Sequence, residues 1–354
     1  MRSAVIDADV AEVLSAPLPW EALSGARVVV TGATGMIGQY LVLALLALGE
    51  RVPEPVRVVA AVRDADRARA VLDPDGDQPQ LELLVQDATE PFALDGPVTW
   101  VVHAASPADP AVFRDDPVGV VLANVLGTRH SLDLAARTGA GVCLVSTLEV
   151  YGSAAPGPDG TIPETTPGVI DSLDVRSAYP ESKRLAETLC VAHHAQHGTP
   201  IRVARLSHTY GPAMSAQDPR VQAYFLRQSL AGEDVVMQSD GTLRRTYTYL
   251  ADATSALLAL LLAGDDGAYN IADDRAPVSM RELAEAFQRH SPRPGGAVVT
   301  GPRTDTGLWS RTAGGTFLDC TRLRSTGWEP RVDLDEGVAR TISHHVALAT
   351  ATRG

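Results

Sequence analysis

Along this chain, short apolar runs alternate with longer segments whose apolar positions recur at helical spacing. The first run, Arg27 to Thr31, passes through a glycine-rich turn into a segment carrying Leu41, Leu45 and Leu48, which reads as a strand followed by a helix. Further β-rich runs lie at Val56 to Val62, Leu81 to Val85, Val98 to Val102 and Gly141 to Ser146, with helical segments between them. Strands alternating with helices predict an α/β fold, a Rossmann-type doubly wound parallel sheet.

The pattern differs at both ends. Residues 1 to 24 carry Leu14, Leu18 and Trp20 among polar positions, and predict a short helical arm packed on the domain or on a neighbouring subunit. From about residue 205, loops such as Tyr210-Gly211-Pro212 alternate with helices around Tyr224 to Leu230 and Ala251 to Leu262. We therefore read 25–204 as the doubly wound domain and 205–354 as mainly a smaller C-terminal lobe, with chain exchanged between the two. No repeat or low-complexity linker separates them, so a cleft between packed lobes is the expected ligand site.

Composition narrows the function classes. A chain of 354 residues that is 45% hydrophobic can bury a large core. Its formal net charge of -13 argues against gripping nucleic acid or anionic lipid. Asp7, Asp9 and Glu12 interrupt any signal-peptide core, and no run is apolar for the roughly 18 residues that a membrane span needs. Cys143, Cys190 and Cys320 lie too far apart in sequence to suggest a zinc site or a disulfide framework. A cytoplasmic protein without metal is the expectation.

Thr31-Gly32-Ala33-Thr34-Gly35-Met36-Ile37-Gly38 sets three glycines at three-residue spacing between the first strand and its helix. Gly32, Gly35 and Gly38 permit a tight turn, and the amides around Met36 and Ile37 can meet a pyrophosphate at the helix N-terminus. This makes 25–204 a dinucleotide-binding domain and predicts NAD or NADP. The second strand ends Val62-Arg63-Asp64: Arg63 can meet a 2′-phosphate or be a plain exposed arginine, which leaves the choice of cofactor open. Asp87, after the third strand, can accept from the adenine amino group or simply cap the next turn.

Tyr179-Pro180-Glu181-Ser182-Lys183 places a phenol and an ammonium one turn apart on a helix face. Lys183 can lower the phenol's pKa and hold the nicotinamide ribose, while Tyr179 exchanges a proton with a hydroxyl or ketone. The run Leu144 to Gly152 delivers Thr147 and Glu149 at the carboxyl edge of the sheet. Thr147 would complete the proton-handling trio, whereas Glu149 is either a substrate-facing acid or a solvated one.

With these residues in place, the chain over 25–345 resembles the nucleotide-sugar epimerase/dehydratase branch of the extended short-chain dehydrogenases. The stretches His103 to Pro110, Asn124 to Thr128, His208 to Met214, Asp218 to Val221 and Arg245 to Asp252 are similar to segments of the UDP-glucuronate decarboxylases. The resemblance implies Ala104 beside the cofactor, and Ser106, Glu149, His208, Arg220 and Arg245 around a nucleotide-sugar substrate. It also implies a homodimer through the Tyr179 helix and the helix near Asn124, with Leu185, Leu189 and Val191 as compatible apolar positions.

The chemistry so implied has Tyr179 take the proton of a sugar 4-hydroxyl while the C4 hydride moves to the nicotinamide. The 4-ketone then permits loss of a C5 carboxylate, or abstraction at C5 leading to elimination or epimerisation. This sequence departs from the pattern at Leu148, where dehydratases of the branch carry an acid and the decarboxylases a serine. It departs again at Ala213, which replaces an arginine, and at His208, which replaces an asparagine. Decarboxylation of a nucleotide uronate leads. Epimerisation, NADPH-dependent ketone reduction and dinucleotide sensing without catalysis are the alternatives.

Overall fold

The structure is a computed structural model that describes residues 3–107, 110–275, 277–301 and 317–351; Ala108 and Asp109 of the His103 to Pro110 stretch lie outside it. In chain order, α1 (Ala4–Val13) precedes β1 (Arg27–Thr31), α2 (Met36–Leu48), β2 (Arg57–Val62), α3 (Ala65–Leu72) and β3 (Leu81–Val85). Then come β4 (Trp100–His103), α4 (Pro110–Asp115), α5 (Pro117–Thr138), β5 (Gly141–Thr147), α6 (Ala178–His197), β6 (Ile201–Leu206) and β7 (His208–Tyr210).

The main sheet is seven-stranded and parallel, ordered from one edge as Gly267–Ile271, β6, β5, β4, β1, β2, β3. Central strands such as β5 are buried along their whole length, as a parallel sheet covered on both faces requires. The order reverses between β1 and β4, and a crevice opens there at the carboxyl ends of the strands.

Two strands of this sheet escaped the sequence reading. In β6, Arg202 and Arg205 interrupt the apolar run. Arg205 is tolerated because Glu187 of α6 neutralises it at 2.7 Å. Gly267–Ile271 opens on a glycine and carries a fully buried Asn270, so neither its composition nor its alternation marks it as a strand. The helix Leu250–Ala263, assigned from sequence to the smaller lobe, packs against α2 instead. The chain thus returns to the main sheet after residue 205.

The N-terminal arm is helical and packs on its own chain. α1 buries Ile6, Val10 and Val13, and touches α2, Leu250–Ala263 and the C-terminal helix Leu334–Ala351. Its fully buried Asp9 accepts from the hydroxyls of Tyr40 (2.8 Å) and Tyr249 (2.7 Å) and from Arg340 Nη1 (2.8 Å), joining three elements at one carboxylate. Near the cleft, β7 pairs in parallel with Tyr247–Tyr249, setting His208 opposite Tyr247.

Candidate functional site

The glycine turn is packed as closely as its composition suggests. Gly32 has φ +65°, and a Cβ there would stand 2.8 Å from the backbone of Ala105 and 2.9 Å from the carbonyl carbon of Ala104. Only glycine suits that conformation and that approach of β1 to the end of β4. Gly38 lies under the turn, where a Cβ would come 2.3 Å from the Gly32 carbonyl oxygen. Gly35 caps α2 without any side-chain hydrogen bond, leaving the first amides, around the half-buried Met36 and Ile37, available to an anion. A pyrophosphate fits these residues.

Arg63 and Asp87 stand together at the far end of the crevice, close enough for the guanidinium to help hold the Asp87 carboxyl below its ordinary value. The larger cause of that lowering is the backbone amide of Thr89, which donates to Asp87 Oδ1 at 2.9 Å, as does the Thr89 hydroxyl. Asp87 therefore does cap its turn, with Oδ2 left over. Arg63 is exposed and makes no side-chain hydrogen bond among the described residues, whereas Asp64 caps α3 by accepting from Arg67 N at 3.0 Å.

Tyr179, on the first turn of α6, is almost wholly buried, its ring stacked on Phe113 of α4 with centroids 4.5 Å apart. Arg176 lies over the other ring of this stack, 4.9 Å from the Phe113 centroid, and its Nη2 donates to Glu149 Oε2 at 2.8 Å. Glu149 is thus ion-paired, and neither Phe113 nor Arg176 was singled out from sequence. Thr147 caps the short turn Leu148–Tyr151 by accepting from Glu149 N at 3.2 Å, and it lies near enough to Tyr179 to favour the phenol's anionic form.

The electrostatics describe the resting state of Tyr179 and Lys183. Burial, then the Glu149 charge, push the Tyr179 phenol above its ordinary value; Thr147, Arg220 and Arg176 oppose them. Lys183, one turn further along α6, is engaged on the strand side. Its buried ammonium donates to the Val145 carbonyl at 2.8 Å, and burial lowers its pKa to about 8 against the opposing charge of Glu187. One signal in the sequence passed unremarked: Lys183 is the only lysine in the chain, every other strongly basic position being arginine.

Across the cleft, Arg245 Nη1 reaches His208 Nε2 at 3.4 Å. Burial, with the charges of Arg245 and Arg220, lowers the His208 pKa to about 3, so the imidazole is a neutral acceptor. The two adjacent arginines separate cleanly: Arg244 is exposed and bound to the Pro277 carbonyl and Glu282, while Arg245 is half-buried and makes no ion pair with an acid among the described residues. Arg220, open to two readings from sequence, is held by both oxygens of Asp218. Ser106 follows β4, and its hydroxyl donates to the Pro107 carbonyl at 3.3 Å. Leu148 is turned into an apolar cluster with Val150, Tyr151, Ile162 and Leu318.

Tyr179 feels the charges of Glu149, Arg176 and Arg220, and His208 those of Arg220 and Arg245, so these side chains lie within electrostatic reach of one another. Among the described residues no cluster of histidine, cysteine or acidic side chains could hold a metal ion. None of their helices is long and apolar enough to cross a membrane.

Known proteins with this arrangement are numerous. UDP-glucuronic acid decarboxylase 5 of Arabidopsis thaliana is 35% identical over 319 residues, covering 89% of this chain and 88% of that protein. The crystal structure of UDP-glucose 4-epimerase from Thermotoga maritima with UDP-glucose superposes with a TM-score of 0.76 at 22% identity, over 91% of this chain and 99% of that one. A double mutant of the dTDP-glucose 4,6-dehydratase of Streptomyces venezuelae, solved with NAD, gives a TM-score of 0.75 at 25% identity, over 90% of this chain and 97% of that one. The family model that matches residues 28–272 spans the glycine turn, Thr147, the Tyr179–Lys183 pair and the strands of the main sheet, and by that match the chain belongs to the NAD dependent epimerase/dehydratase family.

Proposed function

We propose that this enzyme removes the carboxyl group of a nucleotide-linked uronic acid after transient oxidation of the sugar at C4. The observation that carries the reading is Arg245, a half-buried guanidinium whose one described partner is a neutral histidine, while Arg244 and Arg220 are already paired. Its planar fork suits the carboxylate or the diphosphate of such a substrate. Leu148 argues against simple dehydration, because an apolar side chain cannot protonate a departing 6-hydroxyl, but it also lacks the hydroxyl that the decarboxylases carry there and so does not itself favour decarboxylation. The 35% identity to a UDP-glucuronic acid decarboxylase supports the reading.

A bound nicotinamide dinucleotide would supply the hydride acceptor and later donor. The chain's own residues do the rest. Tyr179, with Thr147 near it and oriented by its stack on Phe113, exchanges a proton with the 4-hydroxyl. At rest the phenol is protonated, the form that gives a proton to a ketone oxygen; Arg176 and Arg220 favour the anionic form that receives one. A 4-ketone stands β to the C5 carboxylate and takes up the electron pair of the breaking bond as carbon dioxide leaves. Arg245 would orient that carboxylate, with Ser106 and Glu149 as further contacts to the sugar.

For the cofactor, Arg63 is the group that would decide. If it meets a 2′-phosphate, Arg63→Ala weakens NADP binding and leaves NAD binding unchanged. Exposed Val118 and Leu122 on α5, with Leu185 and Val191 on α6, suit a homodimer; Leu189 packs inward instead. Three free, buried thiols are compatible with a reducing cytoplasm.

The test is incubation of the purified protein, without added reductant, with nucleotide uronates and neutral nucleotide sugars, following product mass and cofactor absorbance. Loss of carbon dioxide from a uronate supports the proposal. Unchanged mass with altered NMR couplings would make it an epimerase, the activity named for the Thermotoga maritima structure. Turnover only with NADPH and a keto substrate would make it a ketoreductase.

A further inference from the structure

Behind Tyr179 and Lys183 lies a buried ionic network that the motifs do not explain. Glu187 follows Lys183 by one turn of α6 and is 9% exposed. Its Oε1 accepts from the Ser146 hydroxyl at 2.6 Å and from Arg205 Nε at 3.1 Å, and its Oε2 from Arg205 Nη2 at 2.7 Å. Arg205 Nη1 continues to the Tyr151 hydroxyl at 2.9 Å, which donates to Asn270 Oδ1 at 2.7 Å. One carboxylate therefore ties α6 to β5, β6 and the edge strand Gly267–Ile271, immediately beneath the β5 end that presents Thr147.

As a fold-stabilising device this is a costly choice, because a buried ion pair loses much of its attraction to desolvation and apolar replacements often serve as well. Its placement suggests another role. The groups facing Lys183 are Glu187 and Cys190 on α6, His103 on β4 and the Val145 carbonyl on β5; Cys143, also on β5, interacts with Cys190. Burial pushes both thiols up to about 12 and His103 down to about 3, so these three are neutral. Glu187, ion-paired with Arg205, is the carboxylate that acts on Lys183.

We propose that Glu187, clamped by Arg205 and Ser146, is a positioning residue that holds the positive charge of Lys183 in its buried site and fixes the strand end carrying Thr147. The role rests on the proton exchange proposed for Tyr179 and on the nicotinamide-ribose contact that the sequence suggests for Lys183, yet it can be measured without turnover. Because Lys183 is the only lysine, protein made with carbon-13-labelled lysine yields a single ε-methylene signal whose shift reports the protonation of that one amine.

In the unmodified protein the signal should titrate near pH 8. In Glu187→Gln the midpoint should fall by about one pH unit, since an opposite charge has been removed. The double variant Glu187→Gln/Arg205→Met removes both charges, leaves no orphaned guanidinium, and should show the same fall if the single variant does not fold. A folded variant of either kind whose Lys183 titrates as in the unmodified protein would overturn the proposal. Failure of every uronate to react would sink the decarboxylase reading and leave this result standing.

Discussion

Neutralising Arg245 and Arg244 in turn separates the proposed substrate cation from its neighbour. Arg244 is exposed, donates to a carbonyl and to Glu282, and spans only surface elements, so Arg244→Gln removes an exposed ion pair of about 0–1 kcal/mol and should alter kcat/KM less than about threefold. Arg245 has no acid partner to lose among the described residues. If its partner is the substrate, Arg245→Gln removes a charge-assisted contact of about 1.5–3 kcal/mol. At 1.36 kcal/mol per factor of ten, kcat/KM for a nucleotide uronate should fall roughly 10- to 150-fold. His208 needs no compensation, because it is neutral with or without the guanidinium. The assay is initial-rate kinetics on the uronate, paired with calorimetric binding of the corresponding neutral nucleotide sugar. A loss confined to the uronate assigns Arg245 to the carboxylate, whereas an equal loss with both ligands assigns it to the diphosphate. Equal kinetics for the two variants would refute the reasoning, since the difference in their partners would then have no consequence.

Three further outcomes are expected. Gly38→Ala should raise the dissociation constant of the dinucleotide at least about tenfold by calorimetry, because the added Cβ overlaps the Gly32 carbonyl and must displace the turn; the gain of about 1 kcal/mol in helix propensity does not restore its geometry. Asp9→Ala leaves two buried tyrosine hydroxyls without their acceptor, a cost of about 3 kcal/mol, or roughly 4 °C in Tm at the usual unfolding entropy per residue; an unchanged melting curve would mean that the arm does not bind the fold together. Turnover should decline as pH rises through about 8, where Lys183 loses its proton. Its effect on stability has the opposite sign: between about 8 and 10.5 the unfolded chain binds the proton that the folded one has released, so this group's contribution rises with pH in denaturant titrations.

Sequence revealed what is local and hid what is assembled from distant segments. The glycine turn and the Tyr179–Lys183 pair were legible because their roles follow from spacing along a single turn or helix, and the first five strands because apolar runs mark a sheet covered on both faces. β6 and the last strand of the sheet were not, since Arg205 and Asn270 look like surface residues until Glu187 and Tyr151, far from them in sequence, are brought beside them. The same limit governed the site. That Arg244 and Arg220 are ion-paired, whereas the one partner of Arg245 among the described residues is His208, depends on Glu282 and Asp218, and no local rule distinguishes three arginines by partners that folding alone supplies. Lys183 shows what folding adds to a pair read locally: its ammonium reaches the Val145 carbonyl on β5, and Glu187, one further turn along α6, opposes the effect of its burial. Proximity along a helix establishes which groups share a face, and the elements packed against that face determine which of them interact.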